Sequence, residues 1–276
     1  MFIKNNLIDT PPPYGFCRNL ALGHFSGGEI RIIGIEVRPW IDFRMKDCPS
    51  RSKIADHSLM EDLIKVVFFD AVGTLIRLKE PVGSTYSAVA LQYGIDLPPE
   101  HLEAAFRSEW ARCPAPFHEG SAPDDDREWW RDLVNRVFET AGIVGGVGSD
   151  LFDDLYDHFA RPDTWEVFPD VRPALERLAV RCRLFVLSNF DRRLRRILGG
   201  HGLDSCFDGM IISSEVGVSK PHPRIFDVAL RAARIPPGSC LHVGDELKAD
   251  GDGAREAGMR FFHVRRPEHG LDRILL

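Results

Sequence analysis

Four short stretches of the chain carry side chains that could do chemistry together. The apolar run Leu63 to Phe69 ends abruptly in Asp70, with Gly73 three residues on. That pattern is expected of a buried strand that delivers a carboxylate to the rim of a sheet, where glycine lets the backbone turn tightly. A carboxylate there can be a nucleophile, a metal ligand or a turn residue. Ser188 and Asn189 follow a second apolar run, and Lys220 stands directly before Pro221. Asp245 follows a third run, with Asp250 five positions further. Taken singly these are common caps and turn formers. Taken jointly they fit one crevice, because ligands of open α/β sheets bind outside the carboxyl ends of the strands.

The elements that must position these groups follow from periodicity. Short apolar runs at Leu184–Leu187, Met210–Ile212, Cys240–Val243 and Arg260–Val264 alternate with helical stretches through Pro173–Leu178, after Asp191, after Pro223 and through Ala254–Ala257. Continuous apolar strands separated by helices predict an α/β fold, a parallel sheet covered on both faces. Between Pro81 and about Trp165 the pattern is helical instead. Tyr86, Val89, Ala90 and Tyr93 share one face that Gly94 can close, and Pro98-Pro99 opens a second helix bearing Leu102, Ala105 and Phe106. A third begins near Asp126, and Asp150 is expected to cap a fourth. Four helices between two strands suggest an inserted bundle.

Residues 1–59 read differently. Pro11-Pro12-Pro13 and Gly27-Gly28 break any regular element, and only Ile30 to Val37 has strand character. The expectation is a peripheral extension, with Met60 as the natural start. The remainder divides into a core of residues 60–81 and 167–276 and a helical insertion of residues 82–166.

Composition narrows the function classes. With 44% hydrophobic and 28% charged residues the chain has the makeup of a globular domain. A formal net charge of -6 argues against nucleic acid or an anionic membrane as the main partner. No stretch has the length of a transmembrane helix, and Met1 to Gly15 lacks signal-peptide order. Six scattered cysteines without C-x-x-C spacing predict free thiols and a cytoplasmic location. Oligomeric state stays open.

In these residues the chain resembles the haloacid dehalogenase superfamily. The motifs occur in order as Asp70-Ala71-Val72-Gly73-Thr74, Ser188-Asn189, Lys220-Pro221 and Gly244-Asp245 with Asp250, and the likeness covers residues 60 to about 265. Pro81 to Tyr86, Trp129-Trp130 and Asn189 to Leu194 resemble one branch, the haloacid dehalogenase-like hydrolase domain-containing protein three group. The resemblance implies a Rossmann-like core with a helical cap, and hydrolysis of a small phosphorylated substrate. Asp70 would attack and form a covalent ester. Mg²⁺ would be held by Asp70, Asp245 and the backbone carbonyl of Val72, with Asp250 behind them orienting Lys220 or a metal-bound water. Ser188, Asn189 and Lys220 would bind the transferring group, Thr74 would add a hydroxyl, and Arg192 is the best further anion-binding candidate.

Val72 departs from the phosphatase pattern, which has a second aspartate there. Valine offers its carbonyl but cannot move a proton, and such assistance is typically worth ~10²–10⁴-fold in rate. Three alternatives stand beside the phosphatase reading. Dehalogenases of the superfamily carry tyrosine at this position and need no metal, which retention of Asp245 and Asp250 argues against. Phosphonatases use a cap lysine, and no lysine lies between Glu80 and Asp170. The third is a catalytically weakened member that binds a phosphorylated ligand or a protein.

Other conspicuous residues have plainer readings. Trp129 and Trp130 are expected in the core of the insertion. Arg192, Arg193, Arg195 and Arg196 read as a solvated helix face. His242 reads as a satisfied core histidine, and Asp126 as the cap that ends an exposed acidic loop.

Overall fold

The computed structural model describes residues 63–113 and 126–276, so the expectations for residues 1–59, the Met60 start included, lie outside the described residues. Five parallel strands form one sheet in the order β5-β4-β1-β6-β7, with β1 at its centre. They are β1 (Val66–Phe69), β4 (Arg183–Ser188), β5 (Gly209–Ile212), β6 (Cys240–Gly244) and β7 (Arg260–His263). All five correspond to the apolar runs read from the sequence.

Alternation along each strand serves two cores. From β1, Val67 and Phe69 join Val186, Val243 and the apolar faces of α5 (Val171–Ala179) and α6 (Arg193–Gly200). Val66 and Phe68 point to the other face and join Leu187, Ile211 and Phe226, the last on α8 (Pro223–Ala233). All four β1 side chains are fully buried, as a two-sided parallel sheet demands. A short helix α7 (Ser213–Val216) follows β5, and α9 (Gly253–Glu256) follows a π-helical turn over Leu247–Asp252. Cys113, Cys182, Cys206 and Cys240 are free thiols, and no described helix is long and apolar enough to cross a membrane.

Between β1 and β4 the chain leaves the sheet and returns. Two three-residue strands, β2 (Ile76–Leu78) and β3 (Trp165–Val167), pair antiparallel with Ile76 opposite Val167. The sequence reading missed them and let helix run to Trp165. Each is too short to show alternation, and its partner lies far along the chain. Among the described residues four α-helices lie between them: α1 (Val82–Gln92), α2 (Pro99–Arg112), α3 (Asp126–Thr140) and α4 (Ser149–His158). They enclose a separate apolar cluster that includes Tyr86, Leu102, Leu133, Phe138 and Phe152.

Two local expectations are corrected. Asp150 does not cap α4: the N-cap is Gly148, and Asp150 lies in the first turn, where a carboxylate favours the helix dipole. Asp126 is no exposed loop residue. It is buried at the start of α3, and burial, with Asp191 nearby, raises its carboxyl above the ordinary range.

Candidate active site

β1 sits between β4 and β6, so the chain order reverses at its carboxyl end, and a crevice opens where such a sheet binds ligands. Asp70 directly follows β1, Ser188 ends β4 and Asp245 directly follows β6. The Asp70 loop closes at once on itself. Ile76 N donates to Ala71 O at 2.9 Å and Gly73 N donates to Ile76 O at 2.8 Å, leaving the Val72 carbonyl out of that bridge. Val72 is 38% exposed.

Two glycines make room for two carboxylates. Gly73 has φ +85°, and a Cβ there would lie 2.3 Å from Asp245 Oδ2. A Cβ on Gly244 would lie 2.3 Å from the Asp250 carboxyl carbon. No side chain fits at either position without displacing the acid beside it.

Lys220 ties the site together. Its ammonium donates to Asp70 Oδ1 at 2.7 Å, to Asp250 Oδ1 at 2.5 Å and to Leu187 O at 2.9 Å. An ammonium has three N–H groups, so all are in use. Asn189 holds the lysine backbone rather than standing free in the crevice: Lys220 N donates to its Oδ1 at 2.6 Å, and its Nδ2 donates to Lys220 O at 2.9 Å. Thr74 is fully buried and donates to Asp245 Oδ1 at 3.1 Å. Ser188, 1% exposed, is presented at the strand end beside that lysine contact.

The electrostatics are those of crowded acids. Burial pushes the Asp70 carboxyl up to about 6, against the pull of Lys220 and with the help of Asp250 and Asp245. Burial and Asp250 raise Asp245 as well. Burial acts the same way on Asp250, but Lys220 and His242 outweigh it and hold that acid below its ordinary range. Burial disfavours the Lys220 ammonium, yet Asp250 and Asp70 hold it above its usual range. Oxygens of Asp70, Asp245 and Asp250 lie within 4.8 Å of one another. Such an all-oxygen set suits a hard cation such as Mg²⁺. Asp250 has both oxygens engaged, Oδ1 by Lys220 and His242 and Oδ2 by Glu246 N at 3.1 Å. Asp70 and Asp245 are therefore the groups that could hold a cation directly, with Asp250 behind.

Several placements were not legible beforehand. His242 is not fully satisfied: Nε2 meets Asp250 Oδ1 at 2.9 Å, while its buried Nδ1 has no hydrogen-bond partner. Its apolar strand gave no hint of an acid eight residues on. Arg192 is exposed at the head of α6, and the basic residue largely covered there is Arg193, bound to Asp191. Trp129 and Trp130 do pack on the helical cluster, but the Trp130 indole N–H also reaches Asp191.

A family model for haloacid dehalogenase-like hydrolases matches residues 64–258. The chain is 37% identical over 209 residues to human haloacid dehalogenase-like hydrolase domain-containing protein 3, covering 74% of this chain and 83% of that protein. It is 34% identical to the Xenopus laevis protein of the same name, covering 74% and 86%. Among solved structures, a haloacid dehalogenase-type phosphatase from Thermococcus onnurineus superposes with a TM-score of 0.53 at 25% identity, covering 74% of this chain and 88% of that one. A 2-haloacid dehalogenase from Pseudomonas syringae does so with a TM-score of 0.54 at 26% identity, covering 76% and 96%.

Proposed function

Because the chain belongs to the haloacid dehalogenase-like hydrolase family, we propose that it is an Mg²⁺-dependent phosphatase of a small phosphorylated metabolite, working through a covalent ester on Asp70. The observation that carries this reading is the crowding of Asp70, Asp245 and Asp250 within 4.8 Å of one another. One lysine ammonium cannot offset three carboxylates, and like charges at this range destabilise each other without a further cation. Attack on a halogenated carbon gives Asp245 and Asp250 no such role. A bound Mg²⁺ would neutralise developing charge on the phosphoryl oxygens.

The chain's own residues then divide the work. Asp70, at about 6, is mainly ionised at neutral pH and ready to attack phosphorus. Lys220 orients it through the 2.7 Å contact and can redirect that N–H to a phosphoryl oxygen once Asp70 is esterified. Ser188 supplies a hydroxyl to the same oxygens, and Asn189 keeps Lys220 in register. With the Lys220 side chain 1% and the Asp70 side chain 11% exposed, substrate access calls for displacement of the helical module, which acts as a cap. Closure would exclude water from the ester-forming step.

The test pairs wild type with Asp70→Asn on an aryl phosphate and a metabolite panel, with Mg²⁺ or chelator, and on 2-chloropropionate. Phosphate release that needs both Asp70 and Mg²⁺ supports the reading. Chloride release without metal, or equal rates in both proteins, overturns it. A second reading, a weakened member that binds a phosphorylated ligand, is favoured by Val72, whose side chain cannot carry a proton. Saturable phospho-ligand binding with no turnover would select it.

A further inference from the structure

Beyond Asn189 the loop from β4 carries an ion pair that the reaction does not use. Arg193 grips Asp191 with two side-chain N–H groups, Nε to Oδ1 at 2.9 Å and Nη2 to Oδ2 at 2.6 Å. Its backbone N–H adds a third contact to Oδ1 at 2.9 Å. The two side chains are 1% and 10% exposed for Asp191 and Arg193. The loop is also fastened to the core, since Phe190 N donates to Ser213 Oγ at 3.0 Å and Ser213 Oγ donates to Phe190 O at 2.9 Å.

Onto this pair the helical module sets two aromatic residues. Trp130 of α3 donates Nε1 to Asp191 Oδ2 at 2.9 Å. Tyr156 of α4 accepts from Arg193 Nη1 at its backbone oxygen, 3.1 Å away. Its ring lies 3.8 Å from the guanidinium carbon, and the Trp130 ring lies 5.2 Å from it. Charge-assisted hydrogen bonds and cation–π contacts gain strength where water is excluded. The arrangement is one-sided. Both partners of the ion pair belong to the core, at the junction of the β4 loop and α6, whereas the Trp130 and Tyr156 contacts need the module in place.

We propose that Asp191 and Arg193 are positioning residues, a preassembled seat that receives Trp130 and Tyr156 and sets how often the module rests over Asp70. This rests on the reading above, in which substrate reaches Asp70 by displacement of the module. The seat lies just beyond Ser188 and Asn189, so it shares one segment with the Ser188 hydroxyl and with the residue that holds Lys220.

Trp130→Phe keeps the ring and removes the N–H, and Arg193→Lys keeps the charge and removes the planar fork. In each, KM for an aryl phosphate should rise about tenfold with kcat within about twofold, the effect of one lost charge-assisted hydrogen bond on the seated fraction. Amide hydrogen exchange of α3 and α4, measured without substrate, should quicken by a similar factor while β1 and β4 keep their protection. Unchanged exchange in both variants overturns the proposal. So does a fall in kcat with KM unchanged, which would make the pair a support for the loop alone. Should the wild type release no phosphate, the phosphatase reading fails, and the exchange measurement still decides the seat.

Discussion

Asn189 and Lys220 form a closed ring: the Lys220 backbone N–H meets Asn189 Oδ1 at 2.6 Å, and Asn189 Nδ2 returns to the Lys220 carbonyl at 2.9 Å. The segment after β4 is thereby joined to the one carrying the lysine. The ammonium can then reach Asp70, Asp250 and Leu187 O together. Asn189→Ala removes both bonds. It should cost about 1–3 kcal/mol of stability, at 0.5–1.5 kcal/mol per net hydrogen bond, read by urea denaturation. It should also lower kcat at least tenfold, since the lysine loses its anchor.

Lys220→Met leaves two buried acids without their ammonium. Removing one partner of a buried pair costs about 3–5 kcal/mol. The deficit relative to wild type should be largest near pH 8 and shrink as pH falls, because Asp70, freed of the pull of Lys220, takes up its proton at higher pH than in wild type and so sheds the uncompensated charge. Parallel urea titrations at pH 8 and pH 5 would show it.

Asp70 itself opposes folding when no metal is bound. Its pKa rises from 3.8 to about 6 in the folded chain, so the folded state holds the proton more tightly. Its contribution to stability therefore falls as pH rises from about 4 to 6 and stays unfavourable above that. Metal-free Asp70→Asn should be more stable than wild type by about 1–3 kcal/mol at pH 7.5, with the gain vanishing near pH 4. Added Mg²⁺ should narrow the gap at pH 7.5 by stabilising wild type. Thermal melts across this range, with and without Mg²⁺, measure both effects.

Val72→Asp places a carboxyl where the residue is already 38% exposed, so the fold should accept it. An acid there helps poor leaving groups most. Turnover of alkyl phosphates should rise by ten- to a hundredfold more than that of aryl phosphates. An unchanged ratio of the two rates would show that proton transfer at residue 72 does not limit turnover.

Gly244→Ala would drive a methyl group to 2.3 Å from the Asp250 carboxyl carbon. Asp250 must move and take its contact with Lys220 with it. Activity should fall at least a hundredfold while the protein stays folded by circular dichroism, because β6 pairs through its backbone.

The sheet and the polar rim at its carboxyl ends were legible because its central strands are short apolar runs followed by polar residues, and topology alone brings such ends together. Asp70, Ser188 and Asp245 are of this kind. Lys220 was legible by its neighbours, not by periodicity. The β2–β3 pair was hidden because Arg77 and Glu166 occupy the middle of three-residue strands, and no apolar pattern survives at that length. Asp191 and Arg193 were hidden for another reason. Two charged residues at a helix start read as solvated until Trp130 and Tyr156 are seen to cover them, and that cover comes from a distant part of the chain. His242 shows the same limit, since its partner acid lies six residues beyond the end of its strand.

The β2–β3 pair has a mechanical meaning. The chain passes between sheet and helical module along these two adjacent strands, so both crossings run through one paired ribbon. At the start of that ribbon Ile76 has its backbone bonded to Ala71, the residue after Asp70. A displacement of this ribbon would thus be passed straight to the loop that carries Asp70.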